Sequence, residues 1–107
     1  MTVTQITALE LKRRLEEAPS LFLLDVREPS EFRFARINNS VLIPLNLIPH
    51  RVDELDPNKE IVVICHHGIR SQQAAHYLAQ AGFENVTNLT GGIDAWSIHC
   101  DSSVPRY

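Results

Sequence analysis

The chain of 107 residues has 44% hydrophobic and 21% charged residues, which is typical of one domain with a single core. Its formal net charge of -3 argues against nucleic acid or an anionic membrane as a partner. The first ten residues lack the features of a signal peptide, and no apolar run approaches the roughly 20 residues that cross a bilayer. We therefore expect a single cytoplasmic domain over 1–107, with a core of about 4–99 and a polar tail over 100–107.

The first helix is predicted to begin near Ala8. Thr7 and Glu10 have the spacing of a capping box, in which each side chain satisfies a free backbone amide at the start of a helix. Pro19 cannot continue a helix, so the segment should end shortly before it.

The next segments alternate between strand and helix patterns. The apolar run 21–24 predicts a buried strand that ends at Asp25, and Pro29 suits the first turn of a short helix. A second short strand is predicted over 41–43, followed by a helical segment over 47–55.

The second half of the chain continues this alternation. The β-branched run 61–64 is the clearest strand, and Ser71 is placed to cap a helix that Gly82 would end. A further strand is predicted over 86–89 and a last helix over 93–98. The alternation predicts an α/β fold with a mostly parallel sheet and helices on both faces, in which ligands bind at the carboxyl ends of the strands.

Cys65 lies at such a strand end, where the chain must turn into a helix within a few residues. Turns of this kind aim backbone amides inward and bind anions. A thiolate at Cys65 would also be stabilised by the helix dipole and by Arg70, which predicts a nucleophilic cysteine. Gly68 can adopt the positive φ that a closed loop needs.

Simpler interpretations of these residues compete with the catalytic one. Cys65 could be a small apolar residue that ends a strand, but a structural turn has no need of a glycine, an arginine and a capping serine directly after it. His66 and His67 are either ordinary exposed loop residues or residues with a specific catalytic role, and partial protonation of either would add positive charge to the loop.

A metal site and a disulfide scaffold are both disfavoured by spacing. The potential ligands are adjacent rather than two to four residues apart as in structural zinc sites; they are Cys65, His66, His67, His99 and Cys100. The two cysteines form no C-x-x-C pair, so reduced thiols are expected. We predict no metal and no cofactor.

Three segments of the chain resemble the signatures of single-domain rhodaneses, which are sulfurtransferases. "CHHGIRS" is similar to the family's active-site loop, "LLDVREPSEF" over 23–32 to its first signature, and "NLTGGIDAW" over 88–96 to its C-terminal one. Their order and separation also match, so the resemblance covers nearly the whole chain. It implies a rhodanese-like fold with a mostly parallel sheet of about five strands.

The resemblance implies a thiosulfate sulfurtransferase. Cys65 would take a sulfane sulfur from a donor such as thiosulfate, hold it as a persulfide and pass it to cyanide or a thiol. The rest of the loop would bind the substrate, and its backbone amides would stabilise the anionic persulfide. Arg70 would either help to bind the anionic donor or shape the loop, and Ser71 would either hydrogen-bond the sulfur or cap the helix. The expected substrate-binding residues are His66, His67, Gly68, Ile69, Arg70 and Ser71.

The resemblance also assigns supporting residues. Asp25 and Arg27 match the family's "DVR" segment and should brace the site, whereas Gly91, Gly92 and Trp96 should be architectural. The chain departs from the family's Gly-His-Ile-Pro-Gly-Ala pattern, showing "ARINNS" over 35–40 instead. Arg36 takes the histidine position and either adds charge at the mouth of the site or is a solvated surface residue, and asparagines at 38 and 39 can supply the left-handed turn.

Two other functions compete with this one. Phosphatases of the same architecture have five residues between cysteine and arginine, whereas only four separate Cys65 from Arg70, which makes a loop too tight for phosphate. The other alternative is a persulfide carrier or interaction module that serves a protein partner.

Overall fold

The computed structural model describes residues 3–107. Five parallel strands form one sheet in the order β1-β5-β4-β2-β3. The strands are β1 (Val3–Ile6), β2 (Phe22–Asp25), β3 (Val41–Leu42), β4 (Ile61–Ile64) and β5 (Val86–Leu89). The helices are α1 (Ala8–Glu17), α2 (Pro29–Phe34), α3 (Ile48–Arg51), α4 (Ile69–Gln80) and α5 (Gly92–His99). None of these helices, the ones found between residues 3 and 107, is long and apolar enough to span a membrane.

The sheet separates two apolar cores, which confirms the predicted α/β architecture. Neighbouring residues of a strand face opposite sides, so Val62 packs in one core and Val63 in the other. The core on the α3 and α4 side includes Leu78, and the core on the α1 and α5 side includes Trp96. Burial on both faces explains why β4 is an uninterrupted run of β-branched residues.

The local start signals of two helices are present as predicted. Thr7 and Glu10 form the capping box of α1, with Glu10 N donating to Thr7 Oγ1 at 3.2 Å and Thr7 N donating to Glu10 Oε1 at 3.0 Å. Pro29 stands in the first turn of α2. Asn39 has φ +67°, so the "ARINNS" turn does use an asparagine in the left-handed region.

The sequence interpretation missed β1 and misjudged the segment over 47–55. Val3–Ile6 is a short edge strand with two exposed polar residues, and it becomes a strand by pairing with β5, a contact between distant parts of the chain. The predicted single helix over 47–55 is instead a 3₁₀ turn over Leu45–Leu47, the four-residue α3 and another 3₁₀ turn over Val52–Glu54.

The segment over 100–107, expected to be a polar tail, packs back on the domain. Val104 is buried, and its carbonyl accepts a hydrogen bond from the Ser97 hydroxyl at 2.5 Å. Arg106 pairs with Asp94 on α5 at 2.8 Å. These contacts bring Tyr107 to the carboxyl edge of the sheet.

Candidate active site

Cys65 directly follows β4, the central strand of the sheet, and only 1% of it is exposed. The loop from Cys65 to Gly68 turns the chain into α4, which begins at Ile69. Gly68 has φ +105°, which agrees with the positive φ predicted for this glycine from the need to close the loop. The sulfur therefore lies at the carboxyl edge of a parallel sheet, beside the N-terminus of a twelve-residue helix.

Two hydrogen-bonding groups contact the sulfur. The Gly68 amide donates to Cys65 Sγ at 3.0 Å, and the Ser71 hydroxyl lies 3.2 Å from the same atom. An amide N–H and the positive end of a helix dipole both favour a negative charge on sulfur. The position can therefore stabilise a thiolate, and equally a persulfide.

Ser71 does not cap α4. It is the third residue of the helix, while Gly68, which has no side chain, takes the cap position. The fully buried Ser71 hydroxyl instead donates to Asn88 Oδ1 and contacts the thiol. Of the two roles considered for this serine, the structure supports bonding to sulfur, because a side chain in the third helical position points back toward the loop.

Asn88 is a site residue that the sequence interpretation missed. It lies on β5, is 4% exposed, and its amide nitrogen donates to Gln5 Oε1 at 2.9 Å and to the Gly68 carbonyl at 3.4 Å. These donations turn the Asn88 carbonyl oxygen toward Ser71. A polar residue inside the buried strand run over 86–89 was the signal that could have revealed it.

Arg70 is held by an acidic residue from another helix. Its guanidinium donates from both terminal nitrogens to the Glu31 carboxylate, at 2.7 and 2.8 Å. These hydrogen bonds lower the pKa of Glu31 to about 2 and raise that of Arg70. The positive charge expected beside the loop is thus neutralised by a carboxylate that the sequence patterns did not place there.

Tyr107 connects this ion pair to a second one. Its hydroxyl donates to Glu31 Oε2 at 2.8 Å and accepts from Arg27 Nη1 at 2.8 Å. Burial, as the largest cause, raises the pKa of Tyr107 to about 12, so the hydroxyl keeps its proton at neutral pH. The phenol therefore links the two arginines through Glu31.

Asp25 and Arg27 form the buried ion pair expected of the "DVR" segment. Both side chains are inaccessible to solvent, and Arg27 Nη2 lies 2.7 Å from Asp25 Oδ2. Arg27 also donates to the Ala35 carbonyl at 2.6 Å. The pair joins the end of β2 to the segment that follows α2.

Arg36, by contrast, is exposed, and its guanidinium carbon lies 4.9 Å from the centroid of the Phe32 ring.

The two histidines form part of an aromatic stack. The His66 ring lies 3.8 Å from the Tyr107 ring and 3.9 Å from the His67 ring, centroid to centroid. Burial, as the largest cause, lowers the pKa of His66, so this ring is neutral at pH 7 and does not add the positive charge considered from the sequence. Within residues 3–107, its Nε2 is buried without a hydrogen-bond partner.

Backbone amides at the N-terminus of α5 donate hydrogen bonds to the loop that contains Cys65. The amides of Ile93 and Asp94 donate to the carbonyls of Cys65 and His66 at 2.8 and 3.2 Å. Gly92 has φ +61°, and a Cβ placed on it would lie 2.4 Å from both carbonyl oxygens. Only glycine allows this close approach, which gives the "TGG" turn a structural reason.

We predict that Gly92→Ala destabilises the protein by about 1 to 3 kcal/mol and slows the reaction of Cys65, because the new methyl group must push the loop carbonyls away. Gly82→Ala is a matched control, since Gly82 also has a positive φ (+101°) but a methyl group added there would meet nothing within 4 Å. Urea unfolding and the rate of thiol alkylation would measure both effects. Equal behaviour of the two variants would contradict the close-approach argument.

Two surface cavities among residues 3–107 are not lined by Cys65. One of about 410 Å³ is lined by Thr7, Leu9 and Thr90 among others, and one of about 220 Å³ by Leu23, Ile37 and Trp96 among others. Ile69, which opens α4, is 74% exposed. The loop therefore offers a nearly closed sulfur site with an exposed apolar residue beside it.

Comparison with known proteins agrees with this geometry. Residues 7–99 match the family model described as "Rhodanese-like domain". A sulfurtransferase of Allochromatium vinosum is 38% identical over 97 residues, which are 91% of each chain. The thiosulfate sulfurtransferase GlpE of Shewanella oneidensis is 35% identical over 83 residues, covering 78% of this chain and 82% of that one. A crystal structure of a rhodanese-like domain protein from Staphylococcus aureus superposes with a TM-score of 0.85 at 30% identity, covering 98% and 99% of the two chains.

Proposed function

Because the chain belongs to the rhodanese-like family, we propose that it is a sulfurtransferase that carries a sulfane sulfur as a persulfide on Cys65, taking it from thiosulfate or a similar donor. The observation that carries this proposal is the donation of the Gly68 amide to Cys65 Sγ at the N-terminus of α4. A hydrogen-bond donor and a helix dipole directed at one buried sulfur suit a thiolate nucleophile.

The first half-reaction transfers one neutral sulfur atom. The Cys65 thiolate attacks the outer sulfur of thiosulfate, a new S–S bond forms, and the S–S bond of the donor breaks so that sulfite leaves with the electron pair. The product is a Cys65 persulfide anion. The Gly68 amide and the helix N-terminus favour the negative charge on this anion for the same electrostatic reason that they favour the thiolate.

The second half-reaction restores the thiolate. A thiophilic acceptor, cyanide or a thiolate, attacks the outer sulfur of the persulfide, and the Cys65 sulfur leaves with the electron pair of the broken bond. The Ser71 hydroxyl, 3.2 Å from Cys65 Sγ, supports both the thiol and the ionised states of Cys65 in this proposal. Its hydroxyl donates to Asn88 when Cys65 is a thiol and can rotate to donate to sulfur when Cys65 is ionised.

Phosphoryl chemistry is disfavoured by the same loop. Four residues separate Cys65 from Arg70, and the Arg70 guanidinium is already engaged by both oxygens of Glu31. A phosphoryl group would need those guanidinium donors, whereas a sulfane sulfur needs only the space beside Sγ.

Sulfur transfer from thiosulfate to cyanide by the purified protein tests the proposal. We expect thiocyanate to form with ping-pong kinetics, and mass spectrometry after thiosulfate treatment to show one added sulfur on the peptide that contains Cys65. Absence of the added sulfur with every sulfane donor would refute it.

A persulfide carrier that serves a protein partner is the second candidate. The exposed side chains of Ile69 and Phe34, 74% and 55% accessible, support a protein acceptor, because apolar groups near a site favour contact with another protein surface. A stable persulfide with slow cyanide turnover would favour the carrier, and rapid turnover would favour the enzyme.

A further inference from the structure

The Glu31 carboxylate is held in one position by four hydrogen bonds, close to a loop that is proposed to bind anions. Oε1 accepts from Arg70 Nη1 at 2.7 Å and from the Glu28 amide at 2.9 Å. Oε2 accepts from Arg70 Nη2 and from the Tyr107 hydroxyl, both at 2.8 Å. Each oxygen therefore has two donors, and the side chain is only 18% exposed.

The groups around Glu31 keep both its charge and its position. Its pKa of about 2 leaves it ionised at any physiological pH. Tyr107 is held in turn by Arg27, whose guanidinium is anchored on the buried Asp25. Moving the Glu31 carboxylate away from Arg70 would therefore break its hydrogen bonds with Arg70 and with the Tyr107 hydroxyl.

Charge near the loop is consequently close to balanced. Arg70 supplies one positive charge, Glu31 cancels it, and His66 is neutral at pH 7. A small dianion that reaches Cys65 gains little attraction from Arg70, because Glu31 occupies the guanidinium donors and cancels their charge. The attraction that Glu31 removes in this way is proportional to the charge of the donor.

We propose that Glu31 is a specificity residue that selects against doubly charged sulfur donors and favours donors with one negative charge or none. The proposal rests on the sulfurtransferase function proposed above and narrows its substrate class. Donors of the favoured class include persulfides of thiols and thiosulfonates, in which the group behind the outer sulfur carries less charge than the sulfonate of thiosulfate.

Two donors that differ by one charge isolate this effect. Thiosulfate is a dianion, and methanethiosulfonate presents the same outer sulfur on a monoanion. In the second case the Cys65 thiolate attacks the outer sulfur, the S–S bond of the donor breaks, and methanesulfinate leaves with the electron pair. Both donors yield the same persulfide, so the ratio of their kcat/KM values reports discrimination in the donor step alone.

Glu31→Gln should raise kcat/KM about tenfold for thiosulfate and about threefold for methanethiosulfonate, because a Coulomb energy is proportional to the charge of the ligand. The ratio of monoanion to dianion should therefore fall about threefold. A loss of packing or of loop order would lower both values together and leave the ratio unchanged, so the ratio separates the proposed role from a structural one.

Glu84→Gln is the matched control. It removes the same charge from an exposed residue that precedes β5, at the amino ends of the strands and therefore at the opposite end of the sheet from Cys65. This variant should leave kcat/KM unchanged for both donors. Arg70→Met provides an independent variant, since it exposes the Glu31 charge and should raise the ratio about threefold.

The outcomes separate the two proposals. An unchanged ratio in both Glu31→Gln and Arg70→Met, with the parent protein active, overturns the specificity role and leaves the sulfurtransferase function intact. A parent protein that forms no persulfide on Cys65 with either donor overturns the function itself.

Discussion

Replacing Cys65 with serine is expected to abolish persulfide formation and to reduce sulfur transfer on the order of a thousandfold or more, because a hydroxyl cannot hold the transferred sulfur. The loop over 65–71 contains no other thiol, and the substitution exchanges one small buried side chain for another. Mass spectrometry after treatment with thiosulfate, together with thiocyanate production, would measure the loss.

Cys100→Ser is the matched control for this experiment. Cys100 follows α5 and is partly buried against the core on the α1 and α5 side. Burial, as the largest cause, raises its pKa, so it is a poor nucleophile at neutral pH. We expect this variant to keep both the persulfide and turnover within about twofold of the parent. A persulfide that survives Cys65→Ser, or turnover lost in Cys100→Ser, would contradict the assignment.

Arg27→Met is expected to lower the free energy of unfolding by about 3 to 5 kcal/mol, because it leaves the charge of Asp25 buried without its partner. It also removes the donors to the Ala35 carbonyl and to the Tyr107 hydroxyl. Urea denaturation followed by circular dichroism would measure the change.

A double variant separates the charge effect from the loss of packing. In Asp25→Asn with Arg27→Met no charge stays buried, and the asparagine carbonyl can still accept from the backbone amide of residue 27, as Asp25 Oδ1 does at 3.1 Å. We expect the double variant to recover much of the stability lost in Arg27→Met. A single variant that loses less than about 1 kcal/mol would show that the pair is not energetically important.

The parts of the site that sequence reasoning recovered are those that depend on neighbouring residues. The β-branched run before Cys65, the positive φ of Gly68 and the capping box of Thr7 and Glu10 all follow from local sterics and local hydrogen bonding. A cysteine after such a strand was therefore predictable at the carboxyl edge of a parallel sheet. The resemblance of three segments to a known family added the prediction that Cys65 forms a persulfide.

The misjudged elements depend on contacts between distant residues. Val3–Ile6 is a strand only because β5 is beside it, and 83 positions separate each pair of aligned residues, such as Val3 and Val86. For Ser71 the sequence left two roles open, a hydrogen bond to sulfur or the cap of α4. The choice depends on Gly68, which takes the cap position, and on Asn88, which accepts from the Ser71 hydroxyl beside Cys65.

By itself, the sequence determined the alternation of strands and helices from α1 onward, except over 47–55, together with the position of the thiol at a strand end and the glycine that closes the loop. Short-range backbone preferences govern these features. Only the tertiary structure decided the electrostatics around that thiol. Glu31 lies 39 positions from Arg70 along the chain, and Tyr107 lies 76 from Glu31. Ion pairs of this kind leave no periodic pattern in a sequence, since their partners meet only when the sheet and the final segment have packed.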